Sequence, residues 1–161
     1  MDQHKNITEH LAYSAKQGAE LNIKTSTEDL TPAAIIATKD IYTQGFNIGL
    51  FLMPPDKDFW QDVLKSTLSI NNAVGYSLVT EAYMTTFGAE AIKRYNGRVR
   101  DMPPDDRYEA AVICTVTRTE DNTFDAKIET AKINRNSDGS RSIEDWETAS
   151  PDAGRILVKE W

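Results

Sequence analysis

Along the first part of the chain, Ile7, Leu11, Ala15, Gly18 and Leu21 recur at three or four with polar residues elsewhere. That spacing predicts an amphipathic helix over Asn6 to Ile23. The polar stretch from Thr25 to Pro32 reads as a linker, and the isoleucine-rich run Ala33 to Thr38 as a first strand. Past a loop holding Gly45, Asn47 to Met53 carries Ile48, Leu50, Phe51 and Leu52, a run apolar enough to predict a second strand that is largely buried. Asp58 and Gln61 are spaced as a capping box, and Phe59/Val63, Trp60/Leu64 and Leu64/Leu68 repeat at four. A helix from about Asp58 to Ile70 follows.

Val74 to Phe87 alternates bulky and small groups over a β-branched and aromatic stretch, the pattern of a long third strand. Gly88 to Met102 is charged and irregular, with one helical turn expected around Glu90 to Arg94. Tyr108 to Thr119 and Phe124 to Asn134 flank a polar turn and predict an antiparallel hairpin. Asp138-Gly139 signals another hairpin ahead of Arg141 to Thr148, a sixth strand carrying Trp146, and the tail to Trp161 should pack a final short element. Helix, two strands, helix, then three or four strands is the order of an α+β fold: a mainly antiparallel sheet of five to six strands with two main helices covering one face. At 161 residues one domain suffices, with 1–30 forming the N-terminal helix and linker and 31–161 the sheet and helix core.

Met-Pro-Pro-Asp occurs twice, at Met53 to Asp56 and at Met102 to Asp105. Proline fixes φ and lacks an N–H, so each copy reads as a stop in the backbone: the first ends a strand before a helix, the second closes a charged loop before a strand.

Charge changes the picture of partners. The formal net charge of -7 disfavours nucleic acid, because clustered Lys and Arg supply most of the affinity for phosphate backbones. Lys93, Arg94, Arg98 and Arg100 form the one basic group, and a solvated surface is its default reading. The single cysteine, Cys114, forms no disulfide within the chain, which points to the cytoplasm. The N-terminus lacks the apolar core of a signal peptide, and no apolar run is long enough for a membrane span, so neither a membrane nor processing is expected. Homo-oligomer formation stays open.

Several constellations could carry chemistry. Pro104-Asp105 followed by Asp125-Ala126-Lys127 is the residue pattern of a metal-dependent nuclease, two carboxylates holding Mg²⁺ beside a lysine. With a turn between Asp121 and Asn122, Asp125 lies opposite Arg118. Asp105 is then separated from that point by roughly 40 Å of strand, too far for a shared ion. The same register brings Asp105, Asp106 and Arg107 near Arg135, Asn136 and Asp138, where Asp105, Asp106 and Asp138 could offer oxygen ligands to a hard cation such as Ca²⁺. Exposed ion pairs are the plainer alternative. Glu81, inside a β-like run, and Glu109, at the head of the next strand, are candidate general acids or bases if they face the covered side. His4 and His10, six residues apart, do not share a helix face. Cys114 alternates with Val112 and Val116 as a buried thiol, Trp60 belongs in the core, and Trp146 and Trp161 could anchor a partner at the surface. No cofactor fingerprint appears, neither a phosphate loop nor a dinucleotide glycine pattern.

The run Thr80-Glu81-Ala82-Tyr83, followed by Pro104-Asp105-Asp106-Arg107-Tyr108-Glu109-Ala110-Ala111-Val112, resembles a pattern in short uncharacterised bacterial and phage proteins. In those, a Ser/Thr-Glu-x-aromatic strand precedes a Pro-Asp-Arg-x-Glu run and a valine-rich strand. The resemblance covers about Gly75 to Lys132, departs from the pattern at the extra aspartate and at Tyr108, and implies the α+β sheet without an activity. The expected function is a small acidic soluble protein-interaction or regulatory module without catalysis. The alternative is a metal-dependent or carboxylate-using hydrolase of a phosphate or small-molecule substrate, with Glu81, Asp105, Asp106 and Glu109 as its catalytic groups.

Overall fold

The computed structural model describes residues 3–150 and 156–161, with side chains from residue 6 onward. The chain is α+β, built on a seven-stranded antiparallel sheet. Helix α1 (Gln3–Thr25) precedes strands β1 (Ala33–Lys39) and β2 (Phe46–Leu52). Helix α2 (Trp60–Ile70) and the long β3 (Ala73–Met84) follow. A short helix α3 (Ala89–Lys93) and two 3-10 turns lead into β4 (Tyr108–Arg118). The chain then forms β5 (Phe124–Arg135), β6 (Arg141–Ile143) and β7 (Glu147–Ala149). The strand order is β2-β1-β3-β4-β5-β6, with β7 also on β5.

The sheet is covered on both faces, by a different helix on each, rather than on one face by both. Tyr76, Leu78, Cys114, Val116 and Ile128 project toward Trp60, Leu64 and Leu68 of α2 and toward Val158 of the tail. Val79, Ala111, Ile113 and Ile133 project the other way, against Ala15, Ala19 and Ile23 of α1. The signal lay in β4, where residues of both parities are apolar, as a strand buried on two faces requires. In α1 the buried row is Ile7, Leu11, Ala15, Ala19 and Ile23, while Leu21 is 64% exposed. A row at every fourth residue advances about 40° per step around the helix, so α1 crosses the strands obliquely, from Ala37 on β1 to Ile133 on β5.

Three local features differ from expectation. The first turn before α2 is a 3-10 turn, Lys57–Phe59, capped by Asp56, whose side chain accepts from the Asp58 N–H. The β4–β5 turn is centred on Asp121 rather than between Asp121 and Asn122, which shifts the register by one, so Arg118 pairs with Phe124. Asn122 absorbs that turn at φ 59, a left-handed conformation that Asn tolerates. The last strand is divided, because the pairing of β5 slips by one residue between Ile133↔Ile143 and Ile128↔Ala149.

The largest departure is β2. It is an edge strand, and Leu50 and Leu52 are 70% and 60% exposed. An apolar run specifies a strand, but its neighbours decide what covers it, and α1 passes over β1 without reaching across β2.

Gly75 sets how closely α1 approaches. A Cβ there would lie 2.9 Å from Thr117 Cγ2 and 3.0 Å from Leu11 Cδ1. Gly75→Ala should therefore destabilise the fold by about 1–3 kcal/mol through overpacking, read from the urea unfolding midpoint. Gly18→Ala on the open side of α1, where nothing lies within 4 Å, should stabilise by up to about 1 kcal/mol. An unchanged midpoint for Gly75→Ala would mean that α1 does not sit on this strand so tightly.

Candidate functional site

β1 begins at Ala33, opposite Val79, whereas β3 continues to Met84 with β4 as its neighbour. The missing length of β1 leaves a notch at the head of the sheet, a cleft of about 500 Å³ that Glu81, Tyr83, Glu109, Lys57, Arg98 and Arg100 help to line. The alternation of β3 turns Glu81 to the α1 side, the same side as Val79. There its Oε1 accepts from the Leu30 N–H at 2.9 Å and from Arg141 Nη1 at 2.6 Å. The Arg141 side chain is fully buried. Its Nε donates to the Ser26 carbonyl at 3.2 Å and its Nη2 to the Glu28 carbonyl. One guanidinium thus ties the linker after α1 to both β6 and β3.

A second arginine acts beside it. Arg135 donates to both oxygens of Glu109, at 2.7 Å from Nε and 3.0 Å from Nη2, and to Asp29 at 3.0 Å. The Glu109 contact, before that of Asp29, pushes the Arg135 pKa further up, so it stays cationic at any ordinary pH. Glu81 and Glu109 do share the cleft, but each already carries an arginine. Sequence alone does not single out Arg141, and it sets Arg135 beside Asp105 to Arg107 rather than Glu109. For Glu81 and Arg141, 60 residues apart, no local signal existed. For Arg135 the hairpin register, corrected by one residue, would have placed it diagonal to Glu109.

The other candidates are dispersed. Asp105 and Asp106 sit in a 3-10 turn, Pro104–Asp106, outside the lining of the cleft. Asp138 accepts from the Ser140 hydroxyl at 2.6 Å and N–H at 2.9 Å, and the hydroxyl bond, more than the backbone one, lowers its pKa. Among the described residues no three His, Cys, Asp or Glu side chains gather as a metal-ligand set, so Asp105, Asp106 and Asp138 do not converge. Asp125 pairs with Thr117, at the end of β4 remote from Asp105, as the nuclease geometry anticipated.

His10 is exposed and lines a smaller cleft of about 310 Å³ with Ile7, Phe46 and Ile48; the His4 side chain lies outside the described residues. Trp146 donates to Glu20 at 2.7 Å and packs partly buried against the α1 core. Trp161 is folded inward: its Nε1 donates to the Ala73 carbonyl at 2.7 Å and its ring meets Phe124 edge-on at 4.8 Å. Neither tryptophan therefore stands free as a surface anchor. Among the described residues no helix is long and apolar enough to cross a membrane.

Arg141→Ala should lower stability by about 3–5 kcal/mol, because it leaves Glu81 without its cation in a largely desolvated place, and should speed amide exchange at Leu30. Arg135→Ala removes a more exposed pair and should cost about 1 kcal/mol or less. Equal losses in urea unfolding would reject this ranking. Burial pushes the Cys114 thiol from 9.0 up to about 11 and, as the first cause, raises the Tyr76 hydroxyl as well. Both groups hold their protons more tightly folded than unfolded; for Cys114 the stability this contributes is complete below about pH 9 and is lost as pH rises through about 11. Urea midpoints measured across that interval should fall less steeply for Cys114→Ala than for the wild type; parallel slopes would argue against the buried thiol's part.

No family model, no curated protein and no solved structure matches this chain.

Proposed function

We propose that this chain is a non-catalytic, cytoplasmic protein-interaction module whose working surface is the outer edge of β2, and that the strand it receives there is β2 of a second copy. The observation that carries the reading is an edge strand without a charged residue, Phe-Asn-Ile-Gly-Leu-Phe-Leu, with Ile48, Leu50 and Leu52 exposed at 43%, 70% and 60%. Edge strands present unpaired backbone N–H and C=O groups, and proteins that keep them unpaired blunt them with charges, proline or bulges. β2 has none of these along its length.

A second copy is the occupant that the strand itself matches. Antiparallel pairing about Gly49 sets Phe46 against Leu52 and Ile48 against Leu50 on the α1 side, so every apolar side chain on that face meets another. Such a contact is isologous and closes as a twofold dimer. The groove between α1 and the edge, lined by Ile7, His10, Phe46 and Ile48, gives the incoming side chains a place to bury. The hydrolase reading has less support, because Glu81 and Glu109 are held by arginines and Asp105 and Asp106 lie outside the cleft.

Sedimentation equilibrium should show a monomer–dimer equilibrium. Two copies of net charge -7 repel, so added salt should strengthen dimerisation, the reverse of a charge-driven contact. Leu50→Lys, at an exposed position, should weaken the dimer at least tenfold, since burying a leucine contributes about 1.5–3 kcal/mol, and leave the unfolding midpoint of the monomer unchanged. A wild type that stays monomeric at millimolar concentration, or a Leu50→Lys dimer as tight as the wild type, overturns the proposal.

A further inference from the structure

We propose that the cleft at the head of the sheet binds a small molecule bearing a phosphomonoester or similar oxyanion, held by Arg98, Arg100 and Lys57. Three cationic side chains arrive there from two separate segments, Lys57 from the 3-10 turn Lys57–Phe59 and the two arginines from around the turn Val99–Asp101. Among the described residues none of the three has a carboxylate within ion-pair distance; Lys57 lies over the Trp60 ring at 5.6 Å. The carboxylates in the same wall, Glu81, Glu109 and Asp29, are bonded to Arg141 and Arg135. Three cations and three carboxylates line this cleft, and the carboxylates are the ones already bonded to arginines behind the wall. Among the described residues Lys57, Arg98 and Arg100 are the lining charges left without an ion-pair counterpart, and an anion is the partner that the geometry leaves missing.

The backbone that carries the arginines is held in position. Asn96 and Gly97 take left-handed φ values of 57 and 72, turning the backbone just ahead of Arg98. Met102, 3% exposed, fastens the segment on the other side, and Arg107 Nη1 donates to the Arg100 carbonyl. Loop backbone fixed in this way reduces the entropy lost when a ligand is gripped. Guanidinium groups suit the purpose because their paired N–H donors match two oxygens of a phosphate. Tyr83 supplies a flat wall, its other face covered by Arg107 at 4.1 Å. A volume of about 500 Å³ falls within the range of small-molecule sites, about 300–1,000 Å³. The site explains a feature that the sequence offers without a role, the basic cluster around Arg98 and Arg100.

The test uses the full chain in phosphate-free buffer at physiological ionic strength, with calorimetric titration of phenyl phosphate and of pyrophosphate. Saturable binding at one site per chain is expected, with a melting temperature that rises with ligand concentration by mass action. The double variant Arg98→Ala, Arg100→Ala should bind at least tenfold more weakly while melting, without ligand, where the wild type does. Lys65→Ala, a basic residue on exposed α2 surface, should bind as the wild type does, and so should Leu50→Lys, which separates this site from the β2 edge. Co-sedimentation with phosphatidylcholine vesicles doped with phosphatidic acid distinguishes the source of the group: binding to vesicles alone assigns the site to a lipid headgroup, binding to phenyl phosphate to a free metabolite. The absence of saturable binding to all three probes at millimolar concentration, or equal affinities for the double variant and Lys65→Ala, overturns the proposal.

Discussion

A buried guanidinium holds this architecture together. Arg141 has no exposed side-chain surface, and a cation in that position is tolerable only when its donors are matched. Glu81 supplies the charge, and the carbonyls of Ser26 and Glu28 supply the remaining acceptors. Its bonds join three parts of the fold: β6 at the sheet's edge, which carries Arg141, β3 at its centre, which carries Glu81, and the linker between α1 and β1, which holds Ser26 and Glu28. The linker has little apolar surface of its own apart from Leu30, so its path depends on these bonds. That path sets where β1 begins, and with it how much of β3 is left without a neighbour.

The opposite face is closed by a similar economy. Tyr76 donates its hydroxyl to the Val158 carbonyl at 2.6 Å and accepts from the Val158 N–H at 3.3 Å, while Trp161 packs against Phe124 and Tyr76. Two aromatic residues thus attach the tail to the sheet beside α2. Because both faces are covered, the inner strands can carry apolar residues at successive positions, and the few polar ones pair with each other. Ser77 and Thr115 share a hydrogen bond of 2.6 Å under α1, as do Thr8 and Thr117. The small groups at Gly75, Ala15 and Ala19 let helix and sheet approach closely enough for those bonds to form.

The two surfaces proposed to act both arise where coverage stops. α1 reaches β2 only at Phe46, which leaves the leucines of that strand in water. The notch exists because β1 is shorter than β3, and the loop that fills its rim contributes arginines instead of an apolar cover. Two of the four carboxylates suspected of chemistry, Glu81 and Glu109, sit in that notch, yet their place in the arginine network makes them part of the wall. What remains unpaired at the rim is cationic, and what remains exposed at the edge is apolar, so the two surfaces suit different partners.

The chain's local patterns determined most of the elements: the apolar rows of the two main helices, the alternation of β3, β4 and β5, and the Pro-Pro stops after β2 and before β4 are all properties of neighbouring residues, and period alone reveals them. Strand boundaries at Tyr108 and Phe124 followed for the same reason, whereas the register between the two strands differs by one from the expected one, with Asn122 left-handed in the turn. Tertiary structure decided what no window of sequence contains. Whether Ile48, Leu50 and Leu52 are core or edge depends on which strand lies next to β2; whether the helices share a face depends on the route of the linker. Glu81 and Arg141 are neighbours only across 60 residues of chain, and Trp161 reaches the core only through Tyr76, Ala73 and Phe124. Burial and charge pairing are properties of who sits opposite whom, and the order of strands in the sheet is what settles that.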